Sequence, residues 1–440
     1  MKRSIMILGA ALLCGVSVQA QNGPWSLQDC IDYALEHNLT VQQSALAVEQ
    51  REVELNSAQN RRLPALSASA SENLSFGRGL TADNTYSNSN TTSTSFSLGG
   101  EMPVFQGFDI ANGIKLGKLN LAAATADLEK ARDDIRVAVA QAFVQILYNQ
   151  ELLRVAREQS SHDEELLEQI RERLDAGKVS AAEVAAQQAT LAQSRQSEIQ
   201  AEGNLNIALL DLTQLLELPS PEGFSIVTPE VGDPSQTLLM RPEAIYAEAV
   251  EVKPSVEAAK LNVDYAELAI TRAKGAYLPS ISLSGGLGSN YYTNSKFDSQ
   301  SFGEQLKNNF SQYIGLSMNV PIFTRFNTRN NVRNAELSYK GQQIQLENVK
   351  KSLYKEIQQA YYNAVASQGR FAGSRESAES ARLHYELTEE KYRVGKAGVA
   401  EYNDARNNWL RAESEHIQAR FQCLYQTKLL DFYRGRDLQF

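Results

Sequence analysis

Beyond its first twenty residues, the sequence has no long hydrophobic run. No later stretch approaches the roughly 20 uncharged apolar residues that a transmembrane helix needs. If the mature chain enters a bilayer, it must therefore cross as β-strands, the other structure that satisfies its backbone polar groups in lipid.

Cysteine and histidine are scarce. Of three cysteines in the 440-residue sequence, Cys14 lies in the N-terminal run, and Cys30 and Cys423 stand far apart. A disulfide between the last two is possible in an oxidising compartment, but two buried thiols are favoured. The histidines are His37, His162, His384 and His416. Their scatter lacks the spacing of metal ligands, so neither a metal site nor another cofactor is indicated.

Motifs of catalysis and nucleic-acid binding are also missing. The sequence contains no GxSxG elbow, no HExxH pair and no Gly-rich phosphate loop. Lys and Arg number 43 against 52 Asp and Glu, a formal net charge of −9 that offers no basic surface for nucleic acid. We therefore expect neither an enzyme nor a nucleic-acid partner.

The N-terminus has the pattern of a secretory signal peptide. A basic pair at positions 2 and 3 precedes an apolar run over 5–13, and small and polar residues lead to Ala20. This predicts export, with removal of residues 1–20. Acylation at Cys14 is the alternative, but Leu13 stands where a lipoprotein signal needs a small residue.

The rest of the chain is an internal duplication. Residues 34–64 align without a gap with residues 249–279, at an offset of 215 (249 − 34). Further on, Gly177-Lys178 matches Gly395-Lys396 at an offset of 218 (395 − 177). The two halves therefore carry the same elements in the same order.

This duplication and the prolines divide the mature chain, 21–440, into three parts. Prolines 219, 221, 229, 234 and 242 mark an irregular inter-repeat strap. We predict repeat one at about 25–218, the strap at about 219–242 and repeat two at about 243–436.

Each repeat begins with a predicted helix pair. Ser26 and Asp29 form a capping box for a helix that runs to about His37, and a second helix starts at Thr40. Pro64 and its counterpart Pro279 end these helices.

Alternating sequences follow each of these prolines. The apolar residues fall on one face of each predicted strand: Leu66, Ala68 and Ala70; Phe96, Leu98 and Met102; Ile281, Leu283 and Leu287; Ile314, Leu316, Met318 and Val320. Between the strands of each pair lie Ser/Thr/Asn-rich connectors, 77–94 and 288–311, which we predict to be solvated turns rather than disordered linkers.

Long helical segments complete each repeat. Residues 110–175 and 325–394 lack proline and carry apolar residues at spacings of three and four, the coiled-coil pattern. Each ends at a glycine, and a second helix returns over 180–217 or 398–434. The sequence therefore predicts two antiparallel helical hairpins.

Four strands of about 9–11 residues suit an outer membrane, but closed barrels of this kind start at about eight strands. One chain therefore cannot close a barrel, and we expect other copies to complete it. A solid coiled-coil scaffold is the alternative, although it does not explain the strands.

These features resemble the TolC-like outer-membrane efflux proteins. The resemblance rests on the duplication, the Pro103-x-Phe105 and Pro321-x-Phe323 junctions, and the sequence Tyr-Arg-Val-Gly-Lys at 392–396 ahead of Glu401. It implies a mainly α fold with membrane β: a duplicated helix-strand-strand-helix hairpin unit in a homotrimer with a 12-stranded β-barrel, continued by a long periplasmic α-helical barrel.

The resemblance also implies function and partners. It implies a passive exit channel in the Gram-negative outer membrane, in contact with its lipid and joined through a periplasmic adaptor to an inner-membrane pump. No cofactor is implied. The cargo stays open among drugs, metal ions and unfolded polypeptides.

The family's aperture residues carry over to Glu401 and Asp404. Spaced by three on a helix, both carboxylates can face the pore, and three copies would form stacked acidic rings that attract cations. A solvated helix face is the alternative.

The family's closed-state contacts carry over to Glu183 and Tyr392. Where the family has an arginine this chain has Ala397, so the nearby Arg393 is the substitute that we expect. The turns Gly177-Lys178 and Gly395-Lys396 resemble adaptor-docking tips, with simple turn chemistry as the alternative.

Overall fold

The computed structural model describes residues 23–80, 84–229, 238–296 and 298–438. The predicted signal peptide lies outside the described residues, as does 230–237 of the predicted strap. Within these ranges, no helix is both long enough and apolar enough to span a membrane.

The long helices and strands recur in the same order in both halves, and the short elements between the paired strands differ. The first half contains α1 (Leu27–His37), α2 (Leu39–Asn60), β1 (Ala65–Ser75), β2 (Arg78–Leu80), β3 (Tyr86–Asn88), β4 (Thr91–Gln106), α3 (Asp109–Asp175) and α4 (Ala181–Leu215). The second half contains α5 (Pro242–Val252), α6 (Pro254–Gly275), β5 (Ser280–Asn294), α7 (Phe302–Asn308), β6 (Ser311–Asn319), α8 (Asn327–Arg393) and α9 (Val399–Tyr433). The exact boundaries of the repeats and the strap stay predictions.

The helix pairs form as predicted. The capping box is confirmed, because the Asp29 N–H donates to Ser26 Oγ at 3.2 Å while the Asp29 carboxylate accepts from the Ser26 N–H. α2 begins one residue early, at Leu39, because the Asn38 side chain caps it. α5 begins at Pro242, since proline fits the first turn of a helix.

The four long strands form one antiparallel sheet, in the order β1-β4-β5-β6. The predicted alternation is confirmed by the register: Ala68 pairs with Leu98, and Leu98 pairs with Leu287. On the other face, Ser69 pairs with Ser97 through both backbone and hydroxyl groups. Around these pairs, the sheet therefore has one apolar face and one face rich in small polar residues.

The predicted connectors were wrong in extent and content. β4 already starts at Thr91 and β5 runs to Asn294, so much of the Ser/Thr/Asn-rich sequence lies in strands. A strand with polar residues on both faces has no alternation to reveal it, and threonine favours strands. Of the rest, the first connector contains the hairpin β2-β3 and the second contains α7.

The two helical hairpins are confirmed nearly to the residue. α3 and α8 each have 67 residues, and α4 and α9 each have 35. Phe108 and Phe326 precede α3 and α8 in the left-handed conformation, with φ of 64° and 63°. At about 1.5 Å per residue, α3 and α8 are each about 100 Å long.

The largest apolar core among the described residues joins α1, α3, α4 and α9 around Phe143, Leu212 and Phe421, at the middle of α3. The prediction of two thiols is confirmed: Cys30 and Cys423 are both reduced and buried, in separate clusters. Burial raises the pKa of the Cys30 thiol to about 12, so it stays protonated.

Candidate functional site at the hairpin tips

Both hairpins turn through the same backbone motif. Gly177 and Gly395 have φ of 70° and 73°, a conformation that glycine adopts without the strain of a side chain. The Lys178 N–H donates to the Arg173 carbonyl at 2.8 Å, and Lys396 makes the matching bond at 2.8 Å. These are Schellman closures, which fix both lysines at the extreme ends of the hairpins.

Glu183 lies in the first turn of α4 and caps it. The Ser180 N–H donates to the Glu183 carboxylate at 3.4 Å, and the Glu183 N–H donates to Ser180 Oγ at 3.4 Å. This capping box holds the half-buried Glu183 carboxylate beside the tip.

Glu401 and Asp404 lie in the first turns of α9. Both side chains are exposed, whereas Tyr402 between them is only 2% exposed. The two carboxylates therefore lie on the solvent-exposed side of α9, while the buried Tyr402 packs this turn against the rest of the tip.

Tyr392 is the centre of the contacts between the hairpins. Its hydroxyl accepts a hydrogen bond of 3.2 Å from Arg173 Nη1, and the Arg173 guanidinium lies 5.3 Å from its ring centre. Its ring also stacks on Tyr402 at 5.0 Å. Burial raises the pKa of Tyr392, the Arg173 charge lowers it, and the nearby Glu183 charge raises it. Glu183 and Tyr392 are thus close enough to interact electrostatically.

The arginine beside Tyr392 therefore comes from α3 and not from the sequence around Gly395. Arg393 is exposed, with its nearest described carboxylate on Glu389 at 3.6 Å within the same helix. Ala397 packs in the apolar cluster of Leu166, Ile170, Tyr392 and Tyr402. Within the protomer, the arginine in contact with Tyr392 is Arg173, and a closed-state role for Arg393 stays a prediction.

A buried ion pair joins α3 to α9 next to this cluster, on the side away from the hairpin tips. The Asp163 side chain is 0% exposed and that of Arg406 is 6% exposed, and the two form a salt bridge. Arg406 also donates to the Gln159 carbonyl at 3.1 Å. Two buried charges in such a place are favourable only as a pair, because removal of either one leaves the other without compensation.

Polar contacts flank this ion pair. Gln187 of α4 is fully buried; it donates to the Asp163 carbonyl at 3.4 Å and accepts from Asn403 at 3.2 Å. His162 and the Tyr402 hydroxyl share a hydrogen bond of 2.6 Å. These contacts fasten the start of α9 to both helices of the first hairpin.

His162 gives this region a pH dependence. Burial lowers the pKa of His162, and the Arg406 charge lowers it further, so the folded protein resists protonation at this ring. The unfolded chain takes up the proton near pH 6.5, as is usual for histidine. The unfolded state then binds more protons, so the His162 contribution destabilises the fold as pH falls from about 6.5 through the lowered pKa.

The variant His162→Gln is therefore expected to lose less thermal stability than the wild type between about pH 7.5 and 5.5, because glutamine does not titrate. Circular dichroism melting at the two pH values measures this difference. His384→Gln is the matched control, since His384 is exposed on α8. Equal pH slopes in His162→Gln and the wild type would contradict the expectation.

The sequence analysis did not predict the residues that join the two hairpins, Asp163, Arg406, His162 and Arg173. One signal was available: Asp163 is a polar residue on a stripe that continues through Leu166 and Ile170. A charge on an apolar stripe indicates a buried partner, although it does not name that partner. In the described part of the chain, no cluster of His, Cys, Asp and Glu could hold a metal ion.

Comparison with known protein families shows the family to which this chain belongs. The family described as "Outer membrane efflux protein" matches residues 30–217 and 245–435. This chain belongs to that family. As an outer membrane efflux protein, it is located in the outer membrane and serves efflux transport.

Known relatives agree with the family over nearly the whole chain. The outer membrane protein TolC of Escherichia coli K12 is 25% identical over 442 residues, which cover 96% of this chain and 84% of TolC. The structure of VceC, an outer membrane protein of Vibrio cholerae, has a TM-score of 0.75 at 17% identity, and the match covers 94% and 97% of the two chains. The CmeC outer membrane channel of Campylobacter jejuni also has a TM-score of 0.75, at 20% identity, over 96% and 87% of the chains.

Proposed function

We propose that this efflux protein is the passive exit duct of a tripartite efflux or type I secretion system, built from three copies of the chain. Each copy contributes its four long strands to a 12-stranded barrel and its hairpins to a helical cylinder in the periplasm. The observation that carries the proposal is the four-stranded sheet, whose outer strands β1 and β6 do not pair with each other.

The two faces of the sheet support a barrel in lipid. Leu98, Leu283 and Leu316 are exposed on the apolar face, where a soluble protein would expose them at a cost. On the other face, Ser282 and Ser317 share a hydrogen bond of 2.8 Å. Apolar residues outward and small polar residues inward is the arrangement that a water-filled barrel needs.

The order of the helices supports a cylinder. At the tips the main contacts run from α4 to α3, from α3 to α9 and from α9 to α8. Nearer the sheet they run from α2 to α3, from α3 to α6 and from α6 to α8. The protomer is thus a row of helices, with α8 at one edge and α2 and α4 at the other. Repetition of such a row closes a wall around a channel.

The tip residues receive roles within this duct. Glu401 and Asp404 are proposed to line the periplasmic aperture as two acidic rings, since both are exposed on the side of α9 opposite the buried Tyr402. Glu183, Tyr392 and Arg393 are proposed closed-state contacts, with Arg173 added because it binds Tyr392. Gly177, Lys178, Gly395 and Lys396 form the exposed ends that would dock a periplasmic adaptor, which connects to an inner-membrane pump. The pump selects the cargo, which we leave open among drugs, metal ions and polypeptides.

The number of copies can be measured directly. We expect the mature protein, extracted in mild detergent, to have three times the chain mass by light scattering, with the molecular mass corrected for bound detergent. Circular dichroism of the same sample should be mainly helical with a minor strand signal. A monodisperse monomer would overturn the shared barrel and favour the coiled-coil scaffold.

A further inference from the structure

The duplication provides an internal template for the contact between copies. At the offset of 218, α3 corresponds to α8 and α4 corresponds to α9. The contact of α3 with α9 inside one protomer therefore has a counterpart in which α8 meets the α4 of the next protomer. This step rests on the ring proposed above.

Inside the protomer, this contact is built around a ring and a smaller side chain. Val144 of α3 is 7% exposed and Phe421 of α9 is 6% exposed. Both border a small cavity of about 250 Å³, together with Tyr148 and Tyr425. Phe421 and Val144 also belong to the same apolar cluster, Phe421 as the larger side chain and Val144 as the smaller one.

The counterparts of these residues lie on the outer edges of the protomer with their sizes exchanged. The counterpart of Val144 is Tyr362, which is 65% exposed, and the counterpart of Phe421 is Gly203. A side chain added at Gly203 would meet nothing within 4 Å in its own protomer. Because glycine within a helix is destabilising relative to alanine, a contact outside the protomer would account for it.

The surroundings of Gly203 are apolar and exposed. Ile199, Ile207 and Leu210 share its side of α4, with exposures of 71%, 59% and 50%. Ile199 is the counterpart of Ile417, which is only 7% exposed at the internal contact. An apolar position that is buried in one copy of the motif and bare in the other indicates a surface that another chain covers.

The facing edge on α8 carries exposed apolar residues along one side of the helix. Its exposed apolar residues are Leu337, Ile344, Tyr362, Val365, Leu383 and Leu387. Their successive spacings of 7, 18, 3, 18 and 4 residues are all close to whole helical turns, so they lie on one side of α8.

We infer that the two edges bind each other in a fixed register, with the Tyr362 ring of one protomer packed on Gly203 of the next. The exchange of sizes keeps one large and one small side chain at the contact: Phe421 with Val144 inside the protomer, and Tyr362 with Gly203 between protomers. The occupant of both edges is thus a second copy of this chain.

Steric substitution tests this register. Gly203→Phe puts two rings at one level and is expected to lower the temperature at which the detergent-extracted trimer dissociates by about 2–5 °C, because an overpacked contact must shift. Gly203→Phe combined with Tyr362→Val recreates the internal Phe421–Val144 pair and should restore most of the loss. Ser197→Phe, on another side of α4, is the control that should leave the temperature unchanged.

Cysteine pairs test the same contact without added bulk. Gly203→Cys with Tyr362→Cys should give chain-to-chain disulfides with copper phenanthroline, whereas Gly203→Cys with Leu383→Cys should not, since Leu383 lies about 30 Å further along α8. A monomeric wild type would overturn the ring itself. A trimeric wild type with no 203–362 disulfide, or with the Gly203→Phe trimer as heat-stable as the wild type, would overturn this register alone.

Discussion

The variant Arg406→Ala is expected to destabilise the hairpin tip by about 3–5 kcal/mol, because it leaves the Asp163 carboxylate buried without compensation. Asp163 is completely buried, and its Oδ2 atom has no hydrogen-bond partner among the described residues even in the intact pair. Loss of Arg406 also frees the Gln159 carbonyl. The first turns of α9 should then detach from α3.

Hydrogen exchange of the detergent-extracted trimer measures this effect, as faster exchange in the first turns of α9. Arg411→Ala removes an exposed arginine from the same helix and is the matched control. The double variant Asp163→Leu with Arg406→Met replaces the pair by apolar side chains and should recover most of the protection. Wild-type exchange in Arg406→Ala would mean that the ion pair does not hold the hairpins together.

The double variant Glu401→Ala with Asp404→Ala is expected to weaken block of the channel by a trivalent cation at least about tenfold. In the proposed trimer this change removes both acidic rings, and a tenfold change in affinity needs only about 1.4 kcal/mol of binding energy. Planar-bilayer conductance, titrated with the cation, gives the blocking concentration directly.

Glu165→Ala with Glu168→Ala is the control for this measurement. These two residues are also exposed and spaced by three, but they lie on α3. Unchanged block in the Glu401/Asp404 variant would remove both residues from the aperture and leave the fold untouched. Equal loss in the two variants would point to the general negative field of the tip.

Much of the fold could be predicted because the chain marks its own boundaries. Pro64, Pro279, Gly177 and Gly395 punctuate long periodic segments, so the ends of α3 and α8 were predicted within two residues. Because the chain is duplicated, each long helix or strand could be compared with its counterpart in the other repeat. The strand extents failed where both faces of β4 and β5 are polar, since alternation exists only where one face is apolar.

The site was less predictable than the fold. Glu401 and Asp404 could be named only through the resemblance to the TolC-like family, and the structure shows that both are exposed. The ion pair of Asp163 with Arg406 spans 243 positions, so no local pattern could connect its partners. The same is true of Arg173, which reaches Tyr392 from the other hairpin, 219 positions away.

The Asp163–Arg406 ion pair has no equivalent in the other copy of the motif. At the offset of 218, Asp163 corresponds to Ala381 and Arg406 corresponds to Gln188, both neutral. Six identical hairpins would form six identical joints, that is, contacts between neighbouring hairpins. Such a ring could not separate at some of these contacts and stay closed at the others. In the proposed trimer, three joints lie within protomers and contain this ion pair, whereas three lie between protomers, where the two equivalent positions carry no charge. The ring of hairpins could then separate at the three contacts between protomers, keep the three contacts within protomers, and retain its threefold symmetry.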